Sequence, residues 1–123
     1  MARVLVVEDD PDNRLLLELR LQRMGHDVQS VATAGEALAL IGMHGVPDLA
    51  LLDIVMEGID GLDLLTILRR MPITVRMPAI MLTARQMAGD QETAQELNAA
   101  YLLKPVVTAD LNRVVDRALA LAR

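Results

Sequence analysis

The chain has no cysteine, no tryptophan and no phenylalanine, and its single aromatic residue is Tyr101. Without cysteine there is no disulfide framework and no thiolate chemistry. Without other aromatics the core has to be built from Leu, Val, Ile, Met and Ala. At 53% hydrophobic residues there are enough of these to exclude a disordered chain. Cations are also scarce: 12 Lys and Arg stand against 17 Asp and Glu, a net charge of −5, and the basic residues are scattered. A duplex-binding surface needs clustered cations to displace counterions, so no direct nucleic-acid partner is expected. No apolar run approaches the length that crosses a bilayer. Met1-Ala2-Arg3, followed by four apolar residues and then three acids, is not a secretory leader. The expectation is a cytoplasmic protein with no membrane partner, and its 123 residues suit one domain.

What is present is an alternation of short apolar runs with longer helical patterns. Arg3–Val7 is a β-branched run ending abruptly at Glu8. Leu15, Leu16, Leu17, Leu19, Leu21 and Met24 form a wide apolar helix face, with Gly25 as the stop. Asp27 to Val31 alternates weakly, as an outer strand would. Thr33 and Glu36 have capping-box spacing ahead of a helix through Ile41, ended by Gly42 or Gly45. Leu49–Leu52 is a buried-strand run ending at Asp53. A helix after Gly58 and Gly61 carries Leu64, Ile67, Leu68 and Met71 on one stripe. Ala79–Leu82 is a strand ending at Thr83, and a polar helix spans Ala88 to Leu97. Tyr101–Leu103 is a short strand ending at Lys104-Pro105. In the last helix Thr108 is the cap, and Leu111, Val114, Val115, Ala118, Leu119 and Ala122 fall on one face. Strands that are apolar throughout are buried on both faces, so this (βα)₅ pattern predicts an α/β, doubly wound parallel sheet between helix layers.

Such sheets bind ligands beyond the carboxyl ends of their strands. Four strands deliver polar groups there: Glu8, Asp9 and Asp10, then Asp53, Thr83 and Lys104. Clustered carboxylates repel one another and resist desolvation, so they need a counter-charge. An oxygen-only set with a few carboxylates suits Mg²⁺ together with a phosphate. Lys104 adds a fixed cation, and the Thr83 hydroxyl can donate to an oxyanion. Asp10, just before Pro11, reads as a helix cap. Asp9 reads as part of the site, because Asp53, Thr83 and Lys104 independently reach the same edge. An acid directly after Leu49–Leu52 is costly unless it has a partner.

These residues resemble the receiver domain of two-component response regulators, the CheY-like family. The resemblance is carried by Val6-Val7-Glu8-Asp9-Asp10, Leu52-Asp53-Ile54-Val55-Met56, Asp60-Gly61, Met81-Leu82-Thr83-Ala84 and Tyr101-Leu102-Leu103-Lys104-Pro105, in order and at strand ends. It covers essentially the whole chain and implies one receiver domain over residues 1–123, either acting alone or cut from a longer regulator or hybrid kinase. It also implies strand order 2-1-3-4-5 and a phosphoacceptor switch rather than an enzyme in the ordinary sense. By the same resemblance Asp53 is the phosphoacceptor. Glu8, Asp9, Asp53 and the backbone carbonyl of Val55 are the Mg²⁺ ligands. Thr83, Ala84, Lys104 and Tyr101 bind the phosphate or transmit its arrival. The implied partners are a sensor histidine kinase or histidine phosphotransfer protein and a downstream protein target. The implied contact surface is the face of the fourth helix, fifth strand and fifth helix, in a monomer or a phosphorylation-dependent dimer.

The chain departs from the family pattern in three places. Glu57 replaces a common Pro, which is expected to loosen the loop after the acceptor or add local negative charge. The Thr83-to-Lys104 interval is one residue short and lacks the usual Gly, so Asn98 is expected to take the left-handed conformation. Val55 and Arg85 stand at positions that in the family flank the path of the hydrolytic water, and by that resemblance the apolar Val55 implies slow self-dephosphorylation. His26 and His44 read as exposed loop residues, and the eight Met as core filler. An aspartyl phosphohydrolase would need an acid at Val55. A flavin site would need a Ser/Thr/Gly-rich loop where Glu8-Asp9-Asp10 stands. A degenerate docking receiver would have lost the acids, Thr83 or Lys104.

Overall fold

The computed structural model describes residues 2–84 and 87–121. Strands and helices alternate as β1 (Arg3–Val7), α1 (Pro11–Arg23), β2 (Asp27–Val31), α2 (Ala34–His44), β3 (Leu49–Asp53), α3 (Gly61–Arg70), β4 (Ala79–Thr83), α4 (Asp90–Glu96), β5 (Ala100–Leu103) and α5 (Thr108–Leu121). The sheet runs β2-β1-β3-β4-β5 with every neighbouring pair parallel, which is the doubly wound (βα)₅ arrangement expected.

Successive side chains of a strand point to opposite faces, so the apolar runs of β1, β3 and β4 feed two cores. Val4, Val6, Leu49, Leu51, Ile80 and Leu82 pack with Leu17 and Leu21 of α1 and Leu111 and Val115 of α5. Leu5, Val7, Leu52 and Met81 pack on the other side with Ile41 of α2, Leu64, Leu65 and Leu68 of α3, and Ala94 of α4. Each fully buried leucine contributes roughly 1.5–3 kcal/mol. β2 and β5, at the edges, are only partly covered.

Several local expectations change. The face of α1 is a narrow stripe: Leu17 and Leu21, four apart, are buried, while Leu15, Leu16 and Leu19 are exposed because they turn away from the sheet. On α3 the buried stripe is Leu64, Leu65 and Leu68, and Ile67 faces outward. α2 runs past Gly42 to His44 and stops at Gly45, whose φ of +86° the helix cannot continue. His44 is therefore helical, although exposed as expected. His26 is partly buried rather than exposed, and its Nδ1 accepts from the Ala2 N–H at 3.2 Å. α4 begins at Asp90, later than Ala88, because Gly89 precedes it in the left-handed region. Thr108 is the first helical residue of α5 and not its cap, since the Leu111 N–H donates to the Val107 carbonyl. Asn98 has φ +56°, the left-handed conformation expected in place of a glycine. Thr33 accepts from the Glu36 N–H at 3.1 Å, and Glu36 reaches back to the Ala32 N–H at 3.2 Å.

Candidate functional site

The parallel sheet brings the ends of β1, β3, β4 and β5 to one edge, and each end is tied to its neighbour. The Glu8 N–H donates to the Val31 carbonyl at 3.0 Å, Ile54 to Leu82 at 3.0 Å, and Lys104 to Thr83 at 2.8 Å. The residues at these ends are therefore held by the ladder itself. Glu8 is 1% exposed, Asp53 6% and Thr83 fully buried. Asp60 caps α3 by accepting from the Asp63 N–H at 2.8 Å, and Gly61 lies directly against the backbone of Asp53.

Lys104 is the hub. Its Nζ donates to Glu8 Oε1 in a short contact and to Asp53 Oδ2 at 3.2 Å, and the peptide bond that follows it, to Pro105, is cis. Asp53 Oδ1 accepts from the Val55 N–H at 3.2 Å. Asp9 Oδ2 accepts from the Glu57 N–H at 3.2 Å. Glu8, Asp9 and Asp53 each offer a carboxylate oxygen, and these oxygens lie within 4.8 Å of one another. Three carboxylates this close to a single ammonium form a net-negative, oxygen-only pocket. That donor set suits a hard divalent cation of the Mg²⁺ type.

The electrostatics follow from burial. Glu8 is pushed up to about 7, first by burial and then by its hydrogen bond and charge contact with Asp53, with Lys104 opposing. Burial disfavours the charge on Lys104. The hydrogen bond to Glu8 and the negative charges of Asp53 and Glu8 outweigh that, and its ammonium is held above the ordinary lysine value.

Most of the residues expected at the site are brought together here. Val55 is 48% exposed in the loop after β3. Ala84 is exposed just past β4, and Arg85 lies outside the described residues. Tyr101 is partly buried and pairs in register with Met81, two residues before Thr83. With a side-chain period of two, Thr83, Met81 and Tyr101 share the sheet face that carries α4. Asp10 occupies the cap position of α1, but its side chain makes no cap bond; its N–H donates to Glu8 Oε2 at 3.4 Å.

Three features were not foreseen. Lys104 pairs with Glu8 as well as Asp53; an acid next to Asp9 gives no hint of which one turns inward. The Arg14 guanidinium donates to the Glu8 carbonyl at 3.0 Å, six residues away on the first turn of a helix. Glu57 does not simply loosen its loop. Its backbone N–H, which a proline would lack, ties the loop to Asp9.

The response regulator receiver domain profile matches residues 4–116. The chain is 39% identical over 107 residues to the transcriptional regulatory protein AfsQ1 of Streptomyces coelicolor, covering 86% of this chain and 46% of that protein. It is 32% identical to protein PilH of Pseudomonas aeruginosa, covering 98% of this chain and 99% of PilH. The chain thus spans about half the length of some curated relatives and nearly all of others. Among solved structures, the CheY-like response regulator receiver domain protein of Methanospirillum hungatei superposes with a TM-score of 0.90 at 30% identity, covering 99% of this chain and 96% of that one. The acids and lysine at the sheet edge, the strand order around them and these likenesses agree, and the chain belongs to the response regulator receiver domain family of two-component systems.

Proposed function

We propose that residues 1–123 act as one receiver unit that takes a phosphoryl group on Asp53 and changes its partner surface in response. The observation that carries this reading is the placement of the Asp53 carboxylate. One oxygen lies 3.2 Å from the Lys104 ammonium, and carboxylate oxygens of Glu8, Asp9 and Asp53 lie within 4.8 Å of one another. The donor is a phosphohistidine of a sensor kinase or phosphotransfer protein. An Asp53 oxygen attacks phosphorus; the P–O bond forms as the P–N bond breaks, and the imidazole nitrogen leaves with the electron pair. Glu8, Asp9, Asp53 and the Val55 carbonyl are the groups that would hold Mg²⁺, which when bound neutralises charge on the phosphoryl oxygens. Lys104, already anchored by Glu8, supplies a second positive charge to the phosphate without having to move far.

The new group adds charge and acceptor oxygens beside Thr83. The Thr83 hydroxyl and the Ala84 N–H turn toward it, and Tyr101, on the same sheet face, follows. The short α4, whose buried residues are Asp90 and Ala94, is the element with two close-lying arrangements. The α4–β5–α5 face then selects a downstream protein target, as a monomer or a phosphorylation-dependent dimer. Among the described residues no helix is long and apolar enough to cross a membrane. Together with the acidic net charge this supports a cytoplasmic protein with neither membrane nor nucleic acid as direct partner.

The test is exposure to a small phosphodonor such as acetyl phosphate, read by intact mass. With Mg²⁺ the parent is expected to gain one phosphoryl group, and Asp53→Asn, or the parent in EDTA, none. Labelling of Asp53→Asn to the same extent as the parent would move the acceptor elsewhere and end this reading. Val55 and Arg85 are proposed to set the lifetime of the phosphorylated state. An apolar Val55 cannot orient water with its side chain, so Val55→Asn is expected to speed phosphate loss several-fold. An unchanged half-life removes that role from Val55.

A further inference from the structure

At the other end of the sheet, where β4 and β5 begin, a cleft opens between the α3–β4 connection and the C-terminal half of α5. The length of β4 puts it roughly 13 Å from the Asp53 edge. Its volume is about 380 Å³, at the small end of ligand pockets, which run from roughly 300 to 1,000 Å³. Arg69, Arg76 and Arg117 line it, together with apolar Met77, Pro78, Val114 and Ala118, and no acidic residue is among the lining residues. In a chain of net charge −5 this concentration of unopposed cations runs against the average.

Arg69 is held in place by neutral groups. Its Nε donates to the Leu97 carbonyl at 2.8 Å. Its Nη1 donates to the carbonyls of Thr74 at 3.2 Å, Val75 at 3.2 Å and Met77 at 2.6 Å. Those acceptors orient the guanidinium without neutralising it. Among the described residues Nη2 has no protein acceptor, and no carboxylate pairs with Arg69, Arg76 or Arg117. Burial makes the Arg69 charge costly and lowers its proton affinity. A partly buried cation fixed by dipoles, with a donor to spare and two further guanidinium groups on the same rim, has unmet demand for an anion.

We propose that this cleft binds a small amphiphilic anion: a monocarboxylate head on the guanidinium groups and an aliphatic body of about eight carbons on the apolar wall. No aromatic side chain lines the cleft to stack a base, which sets nucleotides aside. The planar fork of an arginine matches a carboxylate with two parallel hydrogen bonds. Met77, Pro78, Val114 and Ala118 supply the surface that a simple inorganic ion would leave uncovered.

The experiment is an NMR titration of the full ¹⁵N-labelled chain with sodium octanoate, and in parallel with 1-octanol, acetate and inorganic phosphate. Octanoate is expected to shift the amides of Met77, Ala79, Ala100 and Ala118 saturably, and to bind roughly tenfold or more tightly than each of the other three. The double variant Arg76→Gln/Arg117→Gln, both at exposed positions, is expected to keep its melting temperature and lose roughly tenfold in octanoate affinity. Ala118→Glu places a carboxylate in the wall and is expected to abolish the shifts by a route independent of the arginines. Octanol binding as tightly as octanoate would make the cleft a plain apolar crevice. Acetate or phosphate binding as tightly would make it a site for an adventitious ion only. Either result, shifts that map elsewhere or no saturable shift overturns the proposal, as does unchanged binding by a folded variant.

Discussion

Lys104→Met, measured by urea denaturation in EDTA at pH 8, is expected to lose about 3–5 kcal/mol of stability, the cost of removing one partner from a buried ion pair. Among the described residues Lys104 is the cation paired with both Glu8 and Asp53, and those two acids are 1% and 6% exposed. Methionine keeps the length and packing of the side chain and deletes the charge. The loss is expected to shrink at pH 5, and the sign follows from Glu8. Its folded value of about 7 lies above the ordinary 4.5. The folded state therefore holds a proton that the unfolded state has released between those limits. Glu8 then contributes stability that is fully present below pH 4.5 and is lost as pH rises through 7, on the order of 3 kcal/mol in the metal-free parent. In Lys104→Met nothing opposes the upward push on Glu8, so the decline is expected to steepen and extend above pH 7. At pH 5 Glu8 is neutral, so less buried negative charge is left without its cation. An equal loss at pH 5 and pH 8, or a loss below about 1 kcal/mol at both, would mean that these charges are solvated and not coupled.

Gly61→Ala is expected to cost about 3 kcal/mol or more, at the upper end of overpacking effects. It should also abolish labelling by the phosphodonor. A methyl group at position 61 would lie 2.1 Å from the Asp53 carbonyl oxygen, 2.8 Å from its carbonyl carbon and 3.0 Å from Met81 Cε. Two of those atoms are backbone, so the end of β3 or the first turn of α3 must move. The Gly61 N–H also donates to the Ile54 carbonyl at 3.0 Å, which leaves little freedom to do so. The peptide that shifts is the one that carries the proposed acceptor, Asp53, so stability and labelling should fail together. Gly58→Ala is the control. Gly58 has φ +76° but open space around it, so only the backbone preference is lost, about 1 kcal/mol. If the two variants melt alike, the contact between α3 and Asp53 is not as close as described.

The fold was legible because its three inner strands carry unbroken apolar runs, Val4–Val7, Leu49–Leu52 and Ala79–Leu82, that break sharply at Glu8, Asp53 and Thr83. A strand that changes character in one step announces both its burial and its end. α1 was less legible. Six apolar residues in ten suggest a broad buried face, but the helix meets the sheet along one line: Leu17 and Leu21 are buried there, Met24 packs at its end, and Leu15, Leu16 and Leu19 stay exposed. Sequence periodicity reports what is apolar; it does not report how much of a helix circumference the sheet covers. At the site, the residue types and strand ends located Asp9, Asp53, Thr83 and Lys104. The pairing of Lys104 with Glu8 was not visible, because three consecutive acids leave open which one turns inward. Gly61 stood in the quoted motif, but its close approach to the Asp53 backbone depends on tertiary contact. The Glu57 link to Asp9 is made by a backbone N–H, which the side-chain chemistry of Glu57 does not announce.

In the proposed function, carboxylates at the ends of β1 and β3 share one cation pocket, and thermal melts of the parent and Asp9→Asn with and without Mg²⁺ test that most directly. Asparagine retains an oxygen to accept the Glu57 N–H, so the variant changes charge with little change in shape. In EDTA, Asp9→Asn is expected to melt above the parent, because like-charge repulsion is relieved. Mg²⁺ at a hundred times its Kd should stabilise the parent by about 2.7 kcal/mol and the variant far less. Equal melting of the two proteins in EDTA, together with an equal response to Mg²⁺, would show that Asp9 shares no ion with Asp53.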